Sequence, residues 1–546
     1  MINKITKLRL SLLAALFLLF FSIIVINLYC IQIIKHHFFS SLAQQQYTVI
    51  VKTLPARASL FDSKNNIIAT EKSITSIFIT PNNLKNKNAL LLFLSEHYPQ
   101  AIEKLNCHAQ SHFMYVARNI SDAEITALAT HAPEDIFLLD EPGRWYPVGC
   151  LGPVVGKTDI DNKGISGIEL LYNEHLAGTP TTASIEKDAR SGRFYFNKKT
   201  LTTGHEGQPL HLTLDSTLQF LAYEELKETI KKFNAKEGAV VIMDPFTGAL
   251  SAMVTYPCAD PNCPHLDDVS LLKNKVVTET YELGSVMKTF LALAALEEKL
   301  YLPEDTIDCE NSKIGYVNGM KFSTWKEHGH LTLSEIIEFS NNIGTAKIAQ
   351  KLGTLLYDHY QKCGFGKPTG LTFPGQQKGH VTHPKTWSKA SLNSLSFGYE
   401  IRATLLQLAR AFSIFANGGY LPTPNLVSDT AYKSQQPSLL YRPETIHHMR
   451  SILEKTCTQG TAHAAKIPGV TVLGKTGTAR LIDETGTYSP LKNIYTFAGI
   501  VEKGSYKRVI VTFVKEAERH DLYASSVAAP LFERIAQKML IHDKVI

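Results

Sequence analysis

The sequence predicts an α+β protein in three parts: an N-terminal transmembrane helix, an irregular α/β module, and a larger domain with an antiparallel sheet flanked by helices. Three observations support this prediction. Residues 10–34 contain no charged side chain and are dominated by Leu, Ile and Phe. Residues 35–205 mix short apolar runs with polar, Gly-rich turns and show no repeat. Strand patterns at both ends of residues 206–546 enclose a mainly helical middle, which is typical of a helix-covered sheet.

The apolar segment 10–34 is predicted to be an uncleaved membrane anchor, because about 20 apolar residues are enough to cross a bilayer. Residues 1–9 form a basic tail, with Lys4, Lys7 and Arg9. By the positive-inside tendency this tail stays in the cytoplasm and the remaining chain lies outside. A cleaved signal peptide is the alternative. Its apolar core is usually about 7–15 residues long and ends at small residues, whereas residues 32–39 are bulky and basic.

Length and charge limit the classes of function. A chain of 546 residues with 44% hydrophobic residues is expected to form two or three folded units. The net charge of +6 is small for this length and is not gathered in a basic tract, so no nucleic-acid partner is predicted.

The eight cysteines are scattered, and a chain with large cores does not need a disulfide framework. Cys258 and Cys263, with His265 nearby, form the tightest cluster. A loop disulfide or two free thiols is favoured there over a metal site, because no second ligand pair follows at a suitable spacing.

Within residues 206–546, alternating or continuous apolar runs predict strands and a hairpin around DPFTG, at 210–214, 238–243, 249–256, 470–481, 496–501 and 507–514. Apolar residues then recur every fourth position over 527–540, which predicts a helix with one buried face.

The stretch YELGSVMK at 281–288 is the first chemical signal. Ser285 and Lys288 would share one helix face, and a lysine amine can activate a serine hydroxyl. The pattern alone is weak, because Ser-x-x-Lys begins five times, at Ser184, Ser270, Ser285, Ser323 and Ser489. Ser285 differs in having Gly before it and a long helix-forming run after it, which places its hydroxyl near free helix N–H groups.

Two further segments support a site around Ser285. Ser340-Asn341-Asn342 precedes an amphipathic helix, although such residues are also simple helix caps. GKTGT at 474–478 lies in a predicted strand, where Lys475 and its neighbours suit an extended anionic substrate. A lysine that only protects an edge strand from aggregation is the alternative.

The order SVMK, SNN, KTGT resembles the motif set of penicillin-binding proteins and serine β-lactamases. Other segments look like landmarks of class B penicillin-binding proteins: RASLFDSKNNIIAT, EPGRWYPVG, GISGIELLYNEHLAG, LTLDSTLQ, MDPFTGALSAM, TLLQLARAFSIFANGG and VAAPLF. The resemblance covers nearly the whole chain and is greatest to the septal transpeptidases. It implies a dimerisation-type pedestal at 35–205 and a penicillin-binding transpeptidase domain of serine β-lactamase-like fold at 206–546.

The resemblance also implies roles. Ser285 would attack the penultimate D-alanine of a stem peptide, and Lys288 would take the serine proton. Ser340 would pass a proton to the departing D-alanine, and Asn342 would hold the substrate backbone. The substrate carboxylate would be bound by Lys475, Thr476, Gly477 and Thr478. The oxyanion would lie between the N–H groups of Ser285 and Thr478, and no cofactor or metal is implied.

The implied partners are D-Ala-D-Ala stem peptides, an acceptor amine, β-lactams, a membrane glycosyltransferase of the shape, elongation, division and sporulation (SEDS) group, and divisome proteins. The implied location is the inner membrane, with a periplasmic catalytic domain. Alternatives are an elongation-type transpeptidase, a D,D-carboxypeptidase, a β-lactamase, and a β-lactam sensor or scaffold.

Several residues depart from the family pattern without removing a reactive group: Leu283 and Leu405 replace Pro, Glu400 replaces Gly, and Ser525-Ser526 replaces a Gly pair. Arg57 and Glu169 are expected to hold the pedestal together by ion pairing. A lysine base needs a neutral amine, so burial and the charge of Lys475 are expected to lower the pKa of Lys288.

Overall fold

The computed structural model describes residues 4–187, 195–263, 268–428, 439–519 and 521–546. The helices are α1 Lys4–Tyr29, α2 His36–Tyr47, α3 Lys87–His97, α4 Pro99–Cys107, α5 Asp122–His131, α6 Gly152–Val155, α7 Gly167–Leu171, α8 Asn173–Ala177, α9 Ser216–Lys232, α10 Lys275–Thr278, α11 Lys288–Glu297, α12 Leu333–Glu338, α13 Asn342–Leu352, α14 Leu355–Lys362, α15 Ser391–Ser396, α16 Leu405–Asn417, α17 Pro443–Thr458 and α18 Ala524–His542. The strands are β1 Thr48–Thr53, β2 Leu60–Phe61, β3 Ile67–Ile79, β4 Met114–Ala117, β5 Phe137–Trp145, β6 Thr181–Lys187, β7 Tyr195–Thr202, β8 Leu210–His211, β9 Glu237–Met243, β10 Leu250–Tyr256, β11 Thr306–Asp308, β12 Ile314–Val317, β13 Met320–Ser323, β14 His330–Thr332, β15 His380–Val381, β16 Ile401–Arg402, β17 Thr471–Ile482, β18 Tyr488–Lys503 and β19 Tyr506–Lys515.

One compact unit consists of Met1–Ala56 and Ala177–Gly207. Its first helix, α1, continues through a π-helical turn at Cys30–Ile34, and Lys4–Ile34 is long and apolar enough to cross a membrane. β1, β6 and β7 form an antiparallel sheet with β6 in the middle. The predicted anchor at 10–34 therefore lies within a single helical stretch.

The other compact unit consists of Arg57–Leu176 and Gln208–Ile546, and its main sheet has the order β10-β9-β19-β18-β17. Every neighbouring pair in this sheet is antiparallel, as predicted. DPFTG forms the predicted hairpin turn, because the Gly248 N–H donates to the Asp244 carbonyl at 3.0 Å. β17, which carries GKTGT, is an edge strand with one side open for a further extended chain.

Alternation along the central strands separates the two faces of this sheet. On β9, Val240 and Ile242 pack into a core built with α9 and α18, whereas Val241 and Met243 pack into a second core with α11 and α16. α18 buries the residues predicted from the period of four, namely Val527, Leu531, Ile535 and Met539. The sheet is covered by helices on both faces, which confirms the predicted fold class.

Residues 57–176 add a second sheet of order β4-β3-β2-β8, with β5 also paired to β3. The predicted strand at 210–214 is shorter than expected, because β8 ends at His211. Beyond His211 the backbone changes partners: Leu212 forms an isolated bridge to Val427, and the Thr213 N–H donates to the Leu426 carbonyl at 2.9 Å. The Asp215 carboxylate then caps α9 by accepting the N–H groups of Thr217 and Leu218, each at 3.0 Å.

Candidate active site

The structure separates the five Ser-x-x-Lys matches. Ser184 lies in β6 and Ser489 in β18, where positions three apart point to opposite faces. Ser270 lies exposed in a short 3-10 turn, and Ser323 ends β13. Ser285 lies in the 3-10 turn Gly284–Met287 that leads directly into α11, and Lys288 is the first residue of that helix. The predicted helix start at Ser285 is confirmed.

Two glycines bring this turn against β17. Gly284 has φ +62°, and a Cβ placed on it would lie 2.7 Å from the Thr478 carbonyl oxygen. A Cβ on Gly477 would lie 2.4 Å from the Leu283 carbonyl oxygen. Larger residues would push the strand away from the turn, so both glycines set the distance between the serine and the edge strand.

The Lys288 side chain is fully buried and points to the segment before α13. Its Nζ donates to the Ser340 carbonyl at 2.8 Å and to Asn342 Oδ1 at 2.6 Å, and lies 3.3 Å from Ser340 Oγ. Burial, and then the nearby charge of Lys475, lower the pKa of Lys288 well below its ordinary value, as predicted. A neutral amine has two N–H groups for the carbonyl and amide oxygens and keeps one lone pair that can accept a proton.

The SNN segment divides its roles between capping and the cleft. Asn341 Oδ1 caps α13 by accepting from the Gly344 N–H at 2.9 Å. Ser340 has φ +55°, a sparsely populated region for a residue with a side chain. Asn342 Nδ2 donates to the Ser323 carbonyl at 2.6 Å. Capping and a functional arrangement therefore coexist, on neighbouring residues.

The side chains of the KTGT segment divide into two that line the cleft and one that is buried behind it. Thr476 and Thr478 line the cleft, whereas Lys475 is fully buried behind them and donates to the Thr476 carbonyl at 3.1 Å. Burial lowers the pKa of Lys475 to about 7. The Thr478 hydroxyl accepts from the Ala524 N–H at 3.0 Å, which leaves its own proton free for a ligand. The Thr476 hydroxyl lies 3.2 Å from that of Thr461.

A cleft of about 780 Å³ opens over Ser285 and unites three of the predicted segments. Of the predicted site residues it is lined by Ser285, Ser340, Asn342, Thr476 and Thr478. Lys288 and Lys475 are buried beneath it, and Gly477 packs against the serine turn.

The cleft also contains residues that sequence reasoning missed, such as Trp325, Tyr399, Arg480 and Tyr523. Arg480 could have been found, because it follows Thr478 by two positions on the same strand face. The aromatic residues come from separate loops and carry no local pattern of their own. Trp325 is anchored by its indole N–H, which donates to the Phe339 carbonyl at 2.7 Å.

The departures from the family pattern have structural explanations. Leu283 is buried with φ −83°, close to the value that proline would impose. Glu400 has φ +57°, the left-handed region in which glycine is usual. Leu405 is buried at the first position of α16, where proline is well tolerated. Ser526 exchanges hydrogen bonds with the Tyr523 backbone at the start of α18.

Arg57 and Glu169 form the expected ion pair away from the cleft. Arg57 Nε donates to Glu169 Oε2 at 2.7 Å, and Arg144 Nε donates to Glu169 Oε1 at 2.7 Å. All three side chains are almost completely buried. The predicted ion pair is confirmed, and its role in holding the module together stays a prediction.

Cys258 and Cys263 are both free thiols, which is one of the two outcomes that their spacing left open. His265, the third member of that cluster, lies outside the described residues.

Comparison with protein families matches residues 238–537 to the penicillin binding protein transpeptidase domain. Residues 52–212 match the penicillin-binding protein dimerisation domain. The peptidoglycan D,D-transpeptidase FtsI of Buchnera aphidicola subsp. Baizongia pistaciae is 31% identical over 469 residues, which are 84% of this chain and 80% of the relative.

Solved structures share the fold. Penicillin-binding protein 3 of Mycobacterium tuberculosis in complex with aztreonam superimposes with a TM-score of 0.69 at 24% identity, over 91% of this chain and 98% of that chain. A structure described as showing coordination of polymerization and crosslinking by a peptidoglycan synthase complex has a TM-score of 0.70 at 24% identity, over 97% of both chains.

The transpeptidase match alone covers more than half of the sequence, and the chain therefore belongs to the penicillin-binding protein transpeptidase family. Its dimerisation and transpeptidase domains make it a class B penicillin-binding protein, and it resembles penicillin-binding protein 3, also called FtsI.

Proposed function

We propose that this protein, a serine-type peptidoglycan D,D-transpeptidase, cross-links stem peptides during cell division. One observation carries the chemistry: Lys288 is fully buried, has a lowered pKa and follows Ser285 on the same turn. A neutral buried amine beside a cleft-lining hydroxyl is the combination that serine acylation needs.

Acylation begins when Ser285 Oγ attacks the carbonyl carbon of the penultimate D-alanine and Lys288 takes its proton. The oxyanion that forms is held by the N–H groups of Ser285 and Thr478, which the two glycines bring together. Such a preorganised donor typically contributes about 100- to 1,000-fold to the rate. When the tetrahedral intermediate collapses, the terminal D-alanine leaves as an amine and takes a proton through Ser340, which lies 3.3 Å from Lys288 Nζ.

Substrate binding follows from the open edge of β17. The stem peptide lies along this strand, and the hydroxyls of Thr476 and Thr478 hold its terminal carboxylate. Lys475 is buried behind these two hydroxyls. When its amine is protonated, its positive charge attracts the carboxylate. Asn342 Nδ2 keeps one N–H for the peptide backbone after donating the other to Ser323.

The second half of the reaction transfers the acyl group to an amine of a neighbouring stem peptide. The amine attacks the Ser285 ester and gives its surplus proton to Lys288. As the new peptide bond forms, the ester C–O bond breaks, and the Ser285 oxygen takes that proton from Lys288. β-Lactams enter as mimics of D-Ala-D-Ala and leave a stable acyl-enzyme, because the cleft must disfavour water in order to favour amine transfer.

The proposed location is a single pass through the inner membrane, supported by the apolar stretch Lys4–Ile34. Lys4, Lys7 and Arg9 support the proposed orientation, with the N-terminus in the cytoplasm and the catalytic domain in the periplasm. The proposed boundaries are a tail at 1–9, an anchor at 10–34, a pedestal at 35–205 and a transpeptidase domain at 206–546. The family matches at 52–212 and 238–537 support the last two.

The proposed partners are a membrane glycosyltransferase of the SEDS group and divisome proteins. A transpeptidase needs glycan strands to join, and a structure of the same fold is described as part of a peptidoglycan synthase complex that coordinates polymerization and crosslinking.

The test is fluorescent penicillin labelling of cells that carry the wild-type chain or Ser285→Ala. We expect labelling and midcell enrichment for the wild type and no labelling for Ser285→Ala. Ser270→Ala is the matched control, because it removes an exposed serine of the same Ser-x-x-Lys pattern. Persistent labelling of Ser285→Ala would refute the assigned nucleophile, and uniform labelling along the cell wall would favour an elongation role.

A second assay separates the enzymatic alternatives. The purified full-length protein is given nascent peptidoglycan, and the digested products are analysed by mass spectrometry. Cross-linked dimers that disappear with Ser285→Ala are expected. Released D-alanine without dimers would favour a carboxypeptidase, and rapid turnover of nitrocefin would favour a β-lactamase. Complementation by Ser285→Ala would favour a sensor or scaffold.

A further inference from the structure

Glu282 lies three residues before Ser285, and its side chain binds two other segments of the cleft. Its Oε1 accepts from the Glu400 N–H at 2.8 Å. The Tyr488 hydroxyl donates to the same carboxylate, at 3.0 Å from Oε2 and 3.2 Å from Oε1. Within the described residues Glu282 forms no ion pair, so hydrogen bonds alone hold this carboxylate.

The two segments bound by Glu282 both contribute to the cleft. Phe397 places its ring 5.7 Å from Lys288 Nζ, and Tyr399 lines the cleft. Tyr399 also accepts from the Arg480 N–H at 3.3 Å, and its ring packs edge-on against Tyr488 at 4.9 Å. Tyr488 opens β18 and pairs with Ile482 at the end of β17. Glu282 therefore connects the serine turn, the segment 397–400 and the far end of the KTGT strand.

The surroundings of Glu282 favour the protonated, neutral form of its carboxyl group more than water does. Burial, opposed by its hydrogen bonds to Glu400 and Tyr488, raises the pKa of Glu282. The other charged groups that face it are Arg402, which favours the ionised form, and Glu400, which disfavours it. Burial and the carboxylate raise the pKa of Tyr488, and burial does the same for Tyr399, so both phenols remain protonated.

We propose that ionised Glu282 is a positioning residue that holds the serine turn, residues 397–400 and the Tyr488 end of the β17–β18 pair in the arrangement that acylation needs. The inference rests on the proposed function. The ionised form accepts both donors at full strength, because hydrogen bonds to a carboxylate are stronger than those to a neutral group. Protonation of Glu282 leaves fewer lone pairs for these two donors and adds an O–H group that needs an acceptor of its own.

If Glu282 has this role, a rise in pH changes the acylation rate and the stability of the fold in opposite directions. A carboxyl group whose pKa is raised by folding binds its proton more tightly in the folded state, so its contribution to stability is lost as pH rises through that pKa. Acylation should instead gain as the group ionises. A residue with only a structural role would move both quantities in the same direction.

The test compares the full-length wild type with Glu282→Gln from pH 4.5 to 8, using fluorescent penicillin for the acylation rate constant and thermal unfolding for Tm. We expect the wild type to react about 10-fold faster at pH 8, in line with the strength of a charge-assisted hydrogen bond. The ratio should fall towards one in acid, because protonated glutamate and glutamine are nearly isosteric and both neutral. Protonation of Lys288 slows both proteins and cancels in the ratio.

In the same buffers the Tm of Glu282→Gln should exceed that of the wild type at pH 8, and the difference should shrink in acid. A ratio of acylation rates that is equal to one at every pH, or independent of pH, would overturn the proposal. A wild type that is not acylated at any pH would refute the proposed function instead.

Tyr488→Phe and Tyr115→Phe provide a matched pair. Both remove a phenol that donates to a glutamate, since Tyr115 donates to Glu141 at 3.0 Å outside the cleft. Tyr488→Phe should slow acylation about 10-fold, which corresponds to the lower end of the range for one hydrogen bond to a charged group. Tyr115→Phe should leave it unchanged. Equal effects of the two substitutions would show that a general loss of stability, rather than positioning, is responsible.

Discussion

The pedestal and the active site both bury cations, but they treat them in opposite ways. In the pedestal, Arg57 and Arg144 share the carboxylate of Glu169, with nitrogen–oxygen distances of 2.5 Å and 2.7 Å. Beneath the cleft, Lys288 and Lys475 are fully buried and form no ion pair with any described residue. Their partners are carbonyl, amide and hydroxyl oxygens.

The difference follows from the chemistry of the two side chains. An arginine stays charged at any physiological pH, so burying it requires a carboxylate with good geometry. A lysine can release its proton instead, and burial then lowers its pKa. The paired arginines keep their charge in the interior, whereas an unpaired buried lysine such as Lys288 can act as a base because its pKa is lowered. The comparison predicts which substitutions affect acylation and which affect stability.

The largest expected effect is on acylation, in Lys288→Met. Removing a general base typically costs 100- to 10,000-fold, and we expect about 1,000-fold here. The measurement is the rate constant for acylation by fluorescent penicillin. Lys273→Met is the control, because it removes the exposed lysine of another Ser-x-x-Lys pattern.

The pH dependence sharpens this prediction. Wild-type acylation should rise with pH through the lowered pKa of Lys288, because only the neutral amine accepts a proton. Lys288→Arg should lose that rise, since its guanidinium stays charged. An unchanged profile in Lys288→Arg would disprove the role of Lys288 as base.

The next effect is on stability, in Glu169→Gln. This substitution leaves Arg57 and Arg144 as buried cations without a carboxylate, and breaking a buried pair costs about 3–5 kcal/mol. Urea unfolding of the purified protein measures the change, and acylation per folded molecule should be unaffected. Glu134→Gln breaks the exposed pair with Lys85 and should cost about 1 kcal/mol or less. Similar losses in the two variants would contradict the contrast between buried and exposed pairs.

An effect of similar size, but spread over about three pH units, is expected in the pH dependence of stability, in Lys475→Met. The pKa of Lys475 is about 7 in the folded state and about 10.4 when unfolded. Between these values the unfolded chain binds more protons, so Lys475 makes the wild type more stable as pH rises, by about 1.4 kcal/mol per pH unit. Below pH 7 its contribution is at its least favourable and constant.

Unfolding free energies of the wild type and Lys475→Met from pH 6 to 10 measure this term. Their difference should grow in favour of the wild type above pH 7. Because the charge of Lys475 also lowers the pKa of Lys288, both curves are measured in a Lys288→Met background, in which residue 288 does not titrate. Parallel curves would mean that Lys475 gains or loses no proton on folding.

The sequence predicted those parts of the site that depend on local pattern. The helix start at Ser285, the helix that follows Ser340-Asn341-Asn342 and the strand that carries KTGT each follow from a short run of residues. It also predicted that burial and the charge of Lys475 would lower the pKa of Lys288.

The sequence could not predict contacts between distant segments. Tyr399, Tyr488 and Glu282 meet only because the sheet brings β17 and β18 beside the serine turn. Likewise, the apolar run at 210–214 did not reveal that β8 would end at His211 and that Leu212 and Thr213 would pair with residues 426 and 427 instead. The family pattern marked Glu400 as unusual, but only the backbone angle shows why glycine is common there.

The smallest expected effect concerns the other unpaired charge at the cleft, in Glu400→Gly. Glu400 has φ +57°, which costs a residue with a Cβ about 1 kcal/mol, and its charge raises the pKa of Glu282. Glycine removes both the backbone strain and the repulsion of Glu282. It also loses more chain entropy on folding, which costs about 0.5–1 kcal/mol. We therefore expect the unfolding free energy to change by less than about 1 kcal/mol.

The more informative readout for Glu400→Gly is the acid limb of acylation. The backbone N–H that binds Glu282 is retained, while one source of repulsion is removed, so Glu282 should ionise at lower pH. The rate ratio to the matching Glu282→Gln variant removes the effect of Lys288. The pH at which this ratio falls to half should move down in Glu400→Gly and stay unchanged in Glu279→Gln, which alters another glutamate of the loop that carries Glu282. A shift in the opposite direction would mean that Glu400 stabilises the ionised form of Glu282, and the contrast between paired and unpaired buried charges would not extend to the carboxylates.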